Sequence, residues 1–142
     1  MNLETAPQPL EEEASPIDKM ILLIDDDTDH LEAMSWRLQR QGFRVNQASD
    51  GESGLHQLKE ERPSLVVLDL QLPDCSGLSV CSEIADNEGT CQIPIIIVSG
   101  SEEQDIVRRC RQAGCHYFVR KPYDPNALLV LIERALTDDF DW

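Results

Sequence analysis

Residues 65–73 read Leu-Val-Val-Leu-Asp-Leu-Gln-Leu-Pro, four apolar residues followed by an acid, Asp69. An apolar run this short and continuous is typical of a strand in a parallel sheet that is covered on both faces. Asp69 would then lie at the carboxyl end of its strand, which is where open parallel sheets carry their ligand sites. This stretch therefore predicts both the kind of sheet and the edge at which a site is to be sought.

Three other apolar runs have the same character, at residues 20–24, 93–98 and 117–119. Residues 43–48 differ, because Phe43 and Val45 alternate with polar side chains, and this alternation predicts a more exposed edge strand. The sequence thus contains five predicted strands.

Helical patterns separate the strands. The first has Leu31, Met34, Ser35 and Leu38 at helical spacing, with Gly42 as a stop signal. Leu55 and Leu58 mark a second helical pattern, Leu78, Cys81 and Ile84 a third, and Ile106, Val107 and Cys110 a fourth. Asp124-Pro125 supplies an N-cap and first-turn proline for the last. Strand and helix alternate five times, which predicts an α/β fold with a doubly wound, five-stranded parallel sheet over residues 20–137.

Charge and composition exclude several classes of protein. The chain has 142 residues, with 27 acids against 12 Lys and Arg, and a formal net charge of -15. Such acidity argues against direct nucleic-acid binding through a basic surface and against docking on an anionic membrane. The 41% of hydrophobic residues is nevertheless enough for a packed core.

The ends of the chain and its cysteines suggest where the protein works. We expect residues 1–19, which are acidic and contain prolines, to form a disordered leader, and residues 138–142 to form a short acidic tail. No apolar run approaches the ~18 residues of a membrane span, and the leader does not resemble a secretory signal. Five cysteines without a CxxC pair favour reduced thiols in a cytoplasmic protein over a zinc site.

Polar residues follow four of the five predicted strands. Asp25, Asp26 and Asp27 follow the first strand, Asp69 and Ser99 end the third and fourth, and Lys121 follows the fifth. Clustered carboxylates repel one another, and a hard cation such as Mg²⁺ relieves that repulsion. An ionised Asp can act as a nucleophile toward a phosphoryl group, whose oxygens Lys and Ser can contact. Asp27 or Thr28 is instead expected to cap the first helix.

Together these stretches resemble the receiver domain of two-component response regulators, of the chemotaxis-regulator type. The matching segments are residues 21–27, 65–73 with Gly77, 95–100 and 113–122. The resemblance covers about residues 20–137 and implies a flavodoxin-like (βα)5 fold with strand order 2-1-3-4-5.

The resemblance also implies roles for single residues. Asp69 would be the phosphoacceptor. Asp26 would bind Mg²⁺ directly, Asp25 largely through water, and Gln71 through its backbone carbonyl. Lys121 would contact a phosphoryl oxygen, before a Pro122 peptide that is usually cis in this family.

Two further positions match the family's switch residues. Ser99 would be the switch hydroxyl, in place of the commoner Thr, and Phe118 would be the aromatic switch residue, in place of Tyr. His30, Leu31 and Met34 begin the first helix, where kinases dock in this family. We expect Leu31 and Met34 in the core and His30 at the surface, and we assign His30 no catalytic role.

The implied function is a phosphorylation-activated switch. A histidine kinase or a histidine phosphotransfer protein would phosphorylate Asp69, and output would leave through the fourth helix, fifth strand and fifth helix. Such a protein is not an enzyme beyond its own phosphorylation and autodephosphorylation. A phosphorylation-dependent homodimer is a further expectation, and the downstream protein target is open. Arginines near the output face suggest either a docking surface or a solvated helix: Arg108, Arg109, Arg111 and Arg120.

Four alternatives remain. A degenerate receiver that no longer takes phosphate is disfavoured, because every site residue is retained. A phosphorelay intermediate would pass the phosphoryl group onward. A phosphatase with an aspartyl-phosphate intermediate is disfavoured, because its general acid would stand at position 71, which is Gln. A flavodoxin-like electron carrier is disfavoured because three acids, rather than a phosphate-binding loop, follow the first strand.

Overall fold

A computed structural model describes residues 19–137. Five parallel strands form one sheet in the order β2-β1-β3-β4-β5, which confirms the predicted topology. The strands are β1 (Met20–Ile24), β2 (Arg44–Ala48), β3 (Leu65–Asp69), β4 (Ile95–Ser99) and β5 (Tyr117–Arg120). The expected leader and tail lie outside the described residues, apart from Lys19.

Five helices connect and cover the strands. They are α1 (Thr28–Arg40), α2 (Gly51–Glu60), α3 (Gly77–Asp86), α4 (Ile106–Ala113) and α5 (Pro125–Thr137). Helices α1 and α5 bury their apolar residues in one core cluster, and α2, α3 and α4 bury theirs in the other. Among the described residues, no helix combines the length and the apolar character needed to span a bilayer.

Apart from Asp69 and Ser99, which end β3 and β4, the residues of the central strands are apolar because their side chains pack into both cores. In β1, Leu22 and Ile24 belong to the core under α2, α3 and α4, whereas Ile21 and Leu23 belong to the core under α1 and α5. All five residues of β1 are buried, as are those of β3 and β4. This two-sided burial explains why the sequence lacks the alternation of a half-exposed sheet.

The edge strand and the helix ends agree with the sequence prediction. Strand β2 exposes Arg44 and Gln47 and buries only Ala48. The Asp27 carboxylate caps α1 by accepting from the Asp29 and His30 amides. Gly42 follows α1 with a φ of 98°, a left-handed conformation that glycine adopts without strain.

The strand boundaries differ slightly from the prediction. Strand β4 begins at Ile95 rather than at residue 93, because Pro94 precedes it; Ile93 is still buried in the core. Strand β5 continues to Arg120, where it pairs with Ser99. All five cysteines are free thiols.

Candidate functional site

Three carboxylates meet at the carboxyl ends of the two adjacent strands β1 and β3. Asp25, Asp26 and Asp69 each place one oxygen within 4.8 Å of the others. Asp25 and Asp69 are buried, whereas Asp26 is exposed. Carboxylate oxygens are the donors that a hard divalent cation such as Mg²⁺ prefers, so this cluster fits such an ion.

Lys121 is the cation nearest to the acids. Its Nζ donates to Asp69 Oδ2 at 2.8 Å and lies 3.8 Å from Asp25 Oδ2. The Lys121 amide donates to the Ser99 carbonyl at 2.9 Å, which anchors the end of β5 to the end of β4. The Lys121–Pro122 peptide is cis, as the family resemblance implies.

The pKa values of Asp69 and Lys121 both lie above their ordinary values, but for different physical reasons. Burial raises the pKa of the Asp69 carboxyl, and the hydrogen bonds from Lys121 and Gln71 offset only part of this rise. Burial alone would lower the pKa of the Lys121 ammonium, but its hydrogen bond to Asp69 and the charges of Asp69 and Asp25 raise it overall. Lys121 therefore stays charged beside the acids.

Asp25 is held more tightly than its position in a loop would suggest. Its Oδ1 accepts from the Asp27 amide at 2.9 Å, and its Oδ2 accepts a hydrogen bond from His30. Burial opposes ionisation of Asp25, but the hydrogen bonds from His30 and Asp27, with the charge of Lys121, lower its pKa below the ordinary value. Asp25 is thus a buried, oriented and ionised carboxylate.

The β3–α3 loop fixes the other side of Asp69. Asp69 Oδ1 accepts from the Gln71 amide at 2.9 Å. Helix α3 starts close to the strand end because residue 77 is glycine: a Cβ there would lie 2.5 Å from the Asp69 carbonyl oxygen. Gln71 therefore lies at this edge of the sheet, and the role of its carbonyl as a cation ligand stays a prediction.

The two residues expected to act as a switch lie on β4 and β5. Ser99 is buried at the end of β4, and its Oγ accepts from the Ser101 amide at 3.0 Å. Phe118 is half-buried and packs against the core under α2, α3 and α4. The Arg120 guanidinium lies 5.5 Å from the centroid of the Phe118 ring, on the face that the sequence predicted for output.

The arginines near this face are partly paired. Arg109 Nη1 contacts Glu103 Oε1 at 2.7 Å, and Arg108 Nη2 contacts Asp105 Oδ2 at 3.5 Å. Both pairs are exposed, so each contributes little to stability. The docking surface suggested for these arginines stays a prediction.

His30 is the residue that the sequence prediction placed wrongly. Its side chain is only 21% exposed and lies between the Asp25 carboxylate and the Tyr123 hydroxyl. His30 precedes buried Leu31 and stands four residues before buried Met34, so it borders the apolar stripe of α1. That position on the helix could have indicated partial burial, but no local pattern pairs residue 30 with residue 123.

Comparisons with known proteins agree with this architecture. A family model described as the response regulator receiver domain matches residues 21–133. The transcriptional regulatory protein AfsQ1 of Streptomyces coelicolor is 38% identical over 116 residues, which cover 82% of this chain and 50% of AfsQ1. The polar-differentiation response regulator DivK of Brucella anthropi is 27% identical, over 84% of this chain and 98% of DivK.

A solved structure provides a comparison for the acidic site. The receiver domain of the sensor histidine kinase PA1611 from Pseudomonas aeruginosa PAO1, determined with a magnesium ion coordinated in its active site cleft, matches with a TM-score of 0.77. The two are 26% identical, and the match covers 84% of this chain and 98% of that one.

The matches differ in how much of each relative they cover. The chain spans about half the length of several transcriptional regulators that it matches, AfsQ1 among them, and nearly all of DivK. The family model nevertheless spans the sheet from β1 into α5. The chain belongs to the response regulator receiver domain family.

Proposed function

We propose that this receiver domain is a switch activated by phosphorylation of Asp69. The observation that carries the proposal is the contact of 2.8 Å between Lys121 Nζ and Asp69 Oδ2, beside the buried Asp25. The Lys121 ammonium donates a hydrogen bond to Asp69 but lies 3.8 Å from Asp25. The other carboxylate oxygen of Asp69 accepts a hydrogen bond from the Gln71 amide. A carboxylate fixed in this way can be approached by a phosphoryl donor.

The chemistry is a transfer of one phosphoryl group. A carboxylate oxygen of Asp69 attacks the phosphorus of a phosphohistidine, an oxygen–phosphorus bond forms, and the phosphorus–nitrogen bond breaks. The electron pair of the broken bond stays on the imidazole of the donor. Lys121 then pairs with a phosphoryl oxygen in place of the carboxylate oxygen that it holds before the reaction.

The acidic cluster supplies the cofactor site. Asp25, Asp26, Asp69 and the backbone carbonyl of Gln71 would hold Mg²⁺, with Asp25 acting largely through water. When bound, Mg²⁺ neutralises charge that develops on the phosphoryl oxygens. The magnesium ion of the PA1611 receiver domain supports this assignment.

The proposed donor is a histidine kinase or a histidine phosphotransfer protein. An apolar groove between α1 and α5 lies directly beside Lys121, and its accessible apolar lining includes Ala33, Pro122 and Leu129. Such a groove suits the apolar face of a helix that presents a phosphohistidine to the acidic site. Onward transfer, in a phosphorelay, would use the same face.

The switch would act through β4 and β5. A new dianionic group on Asp69 attracts the Ser99 hydroxyl, and movement of Ser99 leaves space toward which Phe118 turns. The Arg120 guanidinium lies over the Phe118 ring. Rotation of the Phe118 side chain would therefore change the surface formed by α4, β5 and α5. That surface would then bind a target protein or a second copy of the chain.

Intact mass spectrometry after incubation with acetyl phosphate and Mg²⁺ tests the proposal. We expect the wild-type chain to gain one phosphoryl group and Asp69→Asn to gain none, because an amide is not a nucleophile toward phosphorus. Asp86→Asn, which changes an exposed acid at the end of α3, should behave as wild type. Phosphorylation of Asp69→Asn to the wild-type level would refute the assignment.

A further inference from the structure

A chain of three polar side chains crosses from the acidic site to the segment after β5. His30 is the third residue of α1; its Nδ1 contacts Asp25 Oδ2, and its Nε2 contacts the hydroxyl of Tyr123. The His30 and Tyr123 rings meet edge to face, with centroids 5.7 Å apart and an interplanar angle of 71°. Asp25 thereby connects to the residue that follows the cis Lys121–Pro122 peptide.

For a neutral His30 ring, the chemistry of its two partners assigns the direction of each hydrogen bond. A carboxylate only accepts, so His30 must carry a proton on Nδ1 to bond Asp25. A neutral imidazole then has an acceptor at Nε2, which suits the Tyr123 hydroxyl as donor. Burial and the charge of Asp25 raise the pKa of Tyr123 to about 12, so this hydroxyl keeps its proton.

These bonds hold Asp25 from two sides. The Asp27 amide fixes Oδ1 and His30 fixes Oδ2, so the carboxylate has little freedom to rotate. Asp26, the neighbouring acid, is exposed. A ligand that is already oriented binds a cation more tightly, because less conformational entropy is lost on binding.

We propose that His30 is a positioning residue for the Asp25 carboxylate, that Tyr123 positions His30 in turn, and that the pair strengthens divalent-cation binding. The proposal rests on the proposed function only in that Asp25 belongs to a cation site. It differs from a merely structural role, in which His30 and Tyr123 would satisfy each other's hydrogen bonds without affecting the cation.

The tautomer of His30 provides the first test, and His116 is an internal reference. The Ile95 amide donates to His116 Nδ1 at 3.0 Å, so the neutral His116 ring carries its proton on Nε2. We expect nitrogen NMR of the imidazoles, recorded well above the ordinary histidine pKa of about 6.5, to show opposite tautomers for the two residues. A proton on Nε2 of His30 would overturn the proposed arrangement.

Cation affinity provides the second test. We expect calorimetric titration with Mg²⁺ to give roughly ten-fold weaker binding for His30→Leu, in line with other residues that orient metal ligands. Tyr123→Phe, which removes one oxygen atom, should weaken binding less but in the same direction. His30→Asn places an amide donor near the position of Nδ1 and should recover part of the lost affinity. His56→Asn, at an exposed histidine of α2, should leave affinity unchanged.

The outcomes separate the two proposals. Failure of the wild-type chain to bind Mg²⁺ would overturn the cation site and, with it, the proposed function. Mg²⁺ binding by the wild type with unchanged affinity in both His30→Leu and Tyr123→Phe would overturn the positioning role alone. If His30→Leu does not fold by circular dichroism, the comparison of Tyr123→Phe with wild type decides the question.

Discussion

At the scale of single residues, the clustered carboxylates at the carboxyl ends of β1 and β3 repel one another. Asp25 and Asp69 are both buried and share one cation, Lys121, while Asp26 adds a third charge within reach. The charge of Asp25 itself contributes to the raised pKa of Asp69. A divalent cation would relieve this repulsion, so the protein should be more stable when Mg²⁺ is bound.

Thermal unfolding in EDTA and in Mg²⁺ measures that coupling. A ligand that binds only the folded state adds about 2.7 kcal/mol at a hundred times its Kd, and the melting temperature rises accordingly. Asp26→Asn should melt at a higher temperature than wild type in EDTA, because one of three like charges is gone, and should respond less to Mg²⁺. An equal Mg²⁺ response in Asp26→Asn would show that Asp26 is not a ligand.

His116 predicts how stability depends on pH near neutrality. Burial lowers the pKa of its imidazole, and its Nδ1 accepts from the Ile95 amide at the start of β4. The unfolded chain therefore takes up the proton first, so the free energy of unfolding is highest above the unfolded pKa of about 6.5. It should fall as the pH drops from there toward the lower pKa of the folded state.

Urea unfolding of wild type and His116→Asn between neutral and mildly acidic pH checks this sign. The asparagine can keep an acceptor near the position of Nδ1 but does not titrate. The free energy of unfolding of His116→Asn should therefore change less with pH than that of wild type. His56→Asn, at an exposed site, should retain the wild-type slope. Parallel profiles for wild type and His116→Asn would contradict the assignment.

At the scale of elements, two contacts hold the β3–α3 loop beside the site. The Asp74 carboxylate accepts from the Gly51 and Glu52 amides, both at 2.9 Å, and so ties the loop to the first turn of α2. These two hydrogen bonds lower the pKa of Asp74. At the other end of the loop, Gly77 allows α3 to start against the backbone of Asp69 and Leu70.

Gly77→Ala should therefore disturb the site as well as the fold. The new Cβ would lie 2.5 Å from the Asp69 carbonyl oxygen and 2.6 Å from the Leu70 Cα, and neither backbone atom can move aside cheaply. We expect a loss of about 1–3 kcal/mol, typical of overpacking, measured by urea unfolding. At Gly89 the same change meets only the Asn87 side chain at 3.2 Å, so Gly89→Ala is the matched control. Equal stability of the two variants would contradict the steric argument.

At the scale of the whole molecule, the sheet and most of the site could be predicted because both depend on local patterns. Two-sided burial makes β1, β3 and β4 apolar up to the Asp69 and Ser99 that end β3 and β4, and parallel strands bring their carboxyl ends to one edge. Asp25, Asp26, Asp69 and Lys121 therefore meet, as expected from the residues that follow the strands.

Contacts between segments that are far apart in the sequence could not be predicted in the same way. His30 and Tyr123 are 93 residues apart, and Asp74 reaches Gly51 across 23 residues. Periodicity indicates which face of a helix is buried, but it does not indicate which loop that face meets. The tertiary arrangement of α1 against the segment after β5 makes His30 part of the site.

The proposed switch depends on Asp69 being the residue that carries the phosphoryl group. Borohydride reduction of the chain after treatment with acetyl phosphate and Mg²⁺ converts an aspartyl phosphate to homoserine, which peptide mass spectrometry locates. We predict homoserine at position 69, formed only after phosphorylation and absent when EDTA replaces Mg²⁺. Homoserine at Asp25, Asp26 or any other acid, with Asp69 unmodified, would contradict the central claim.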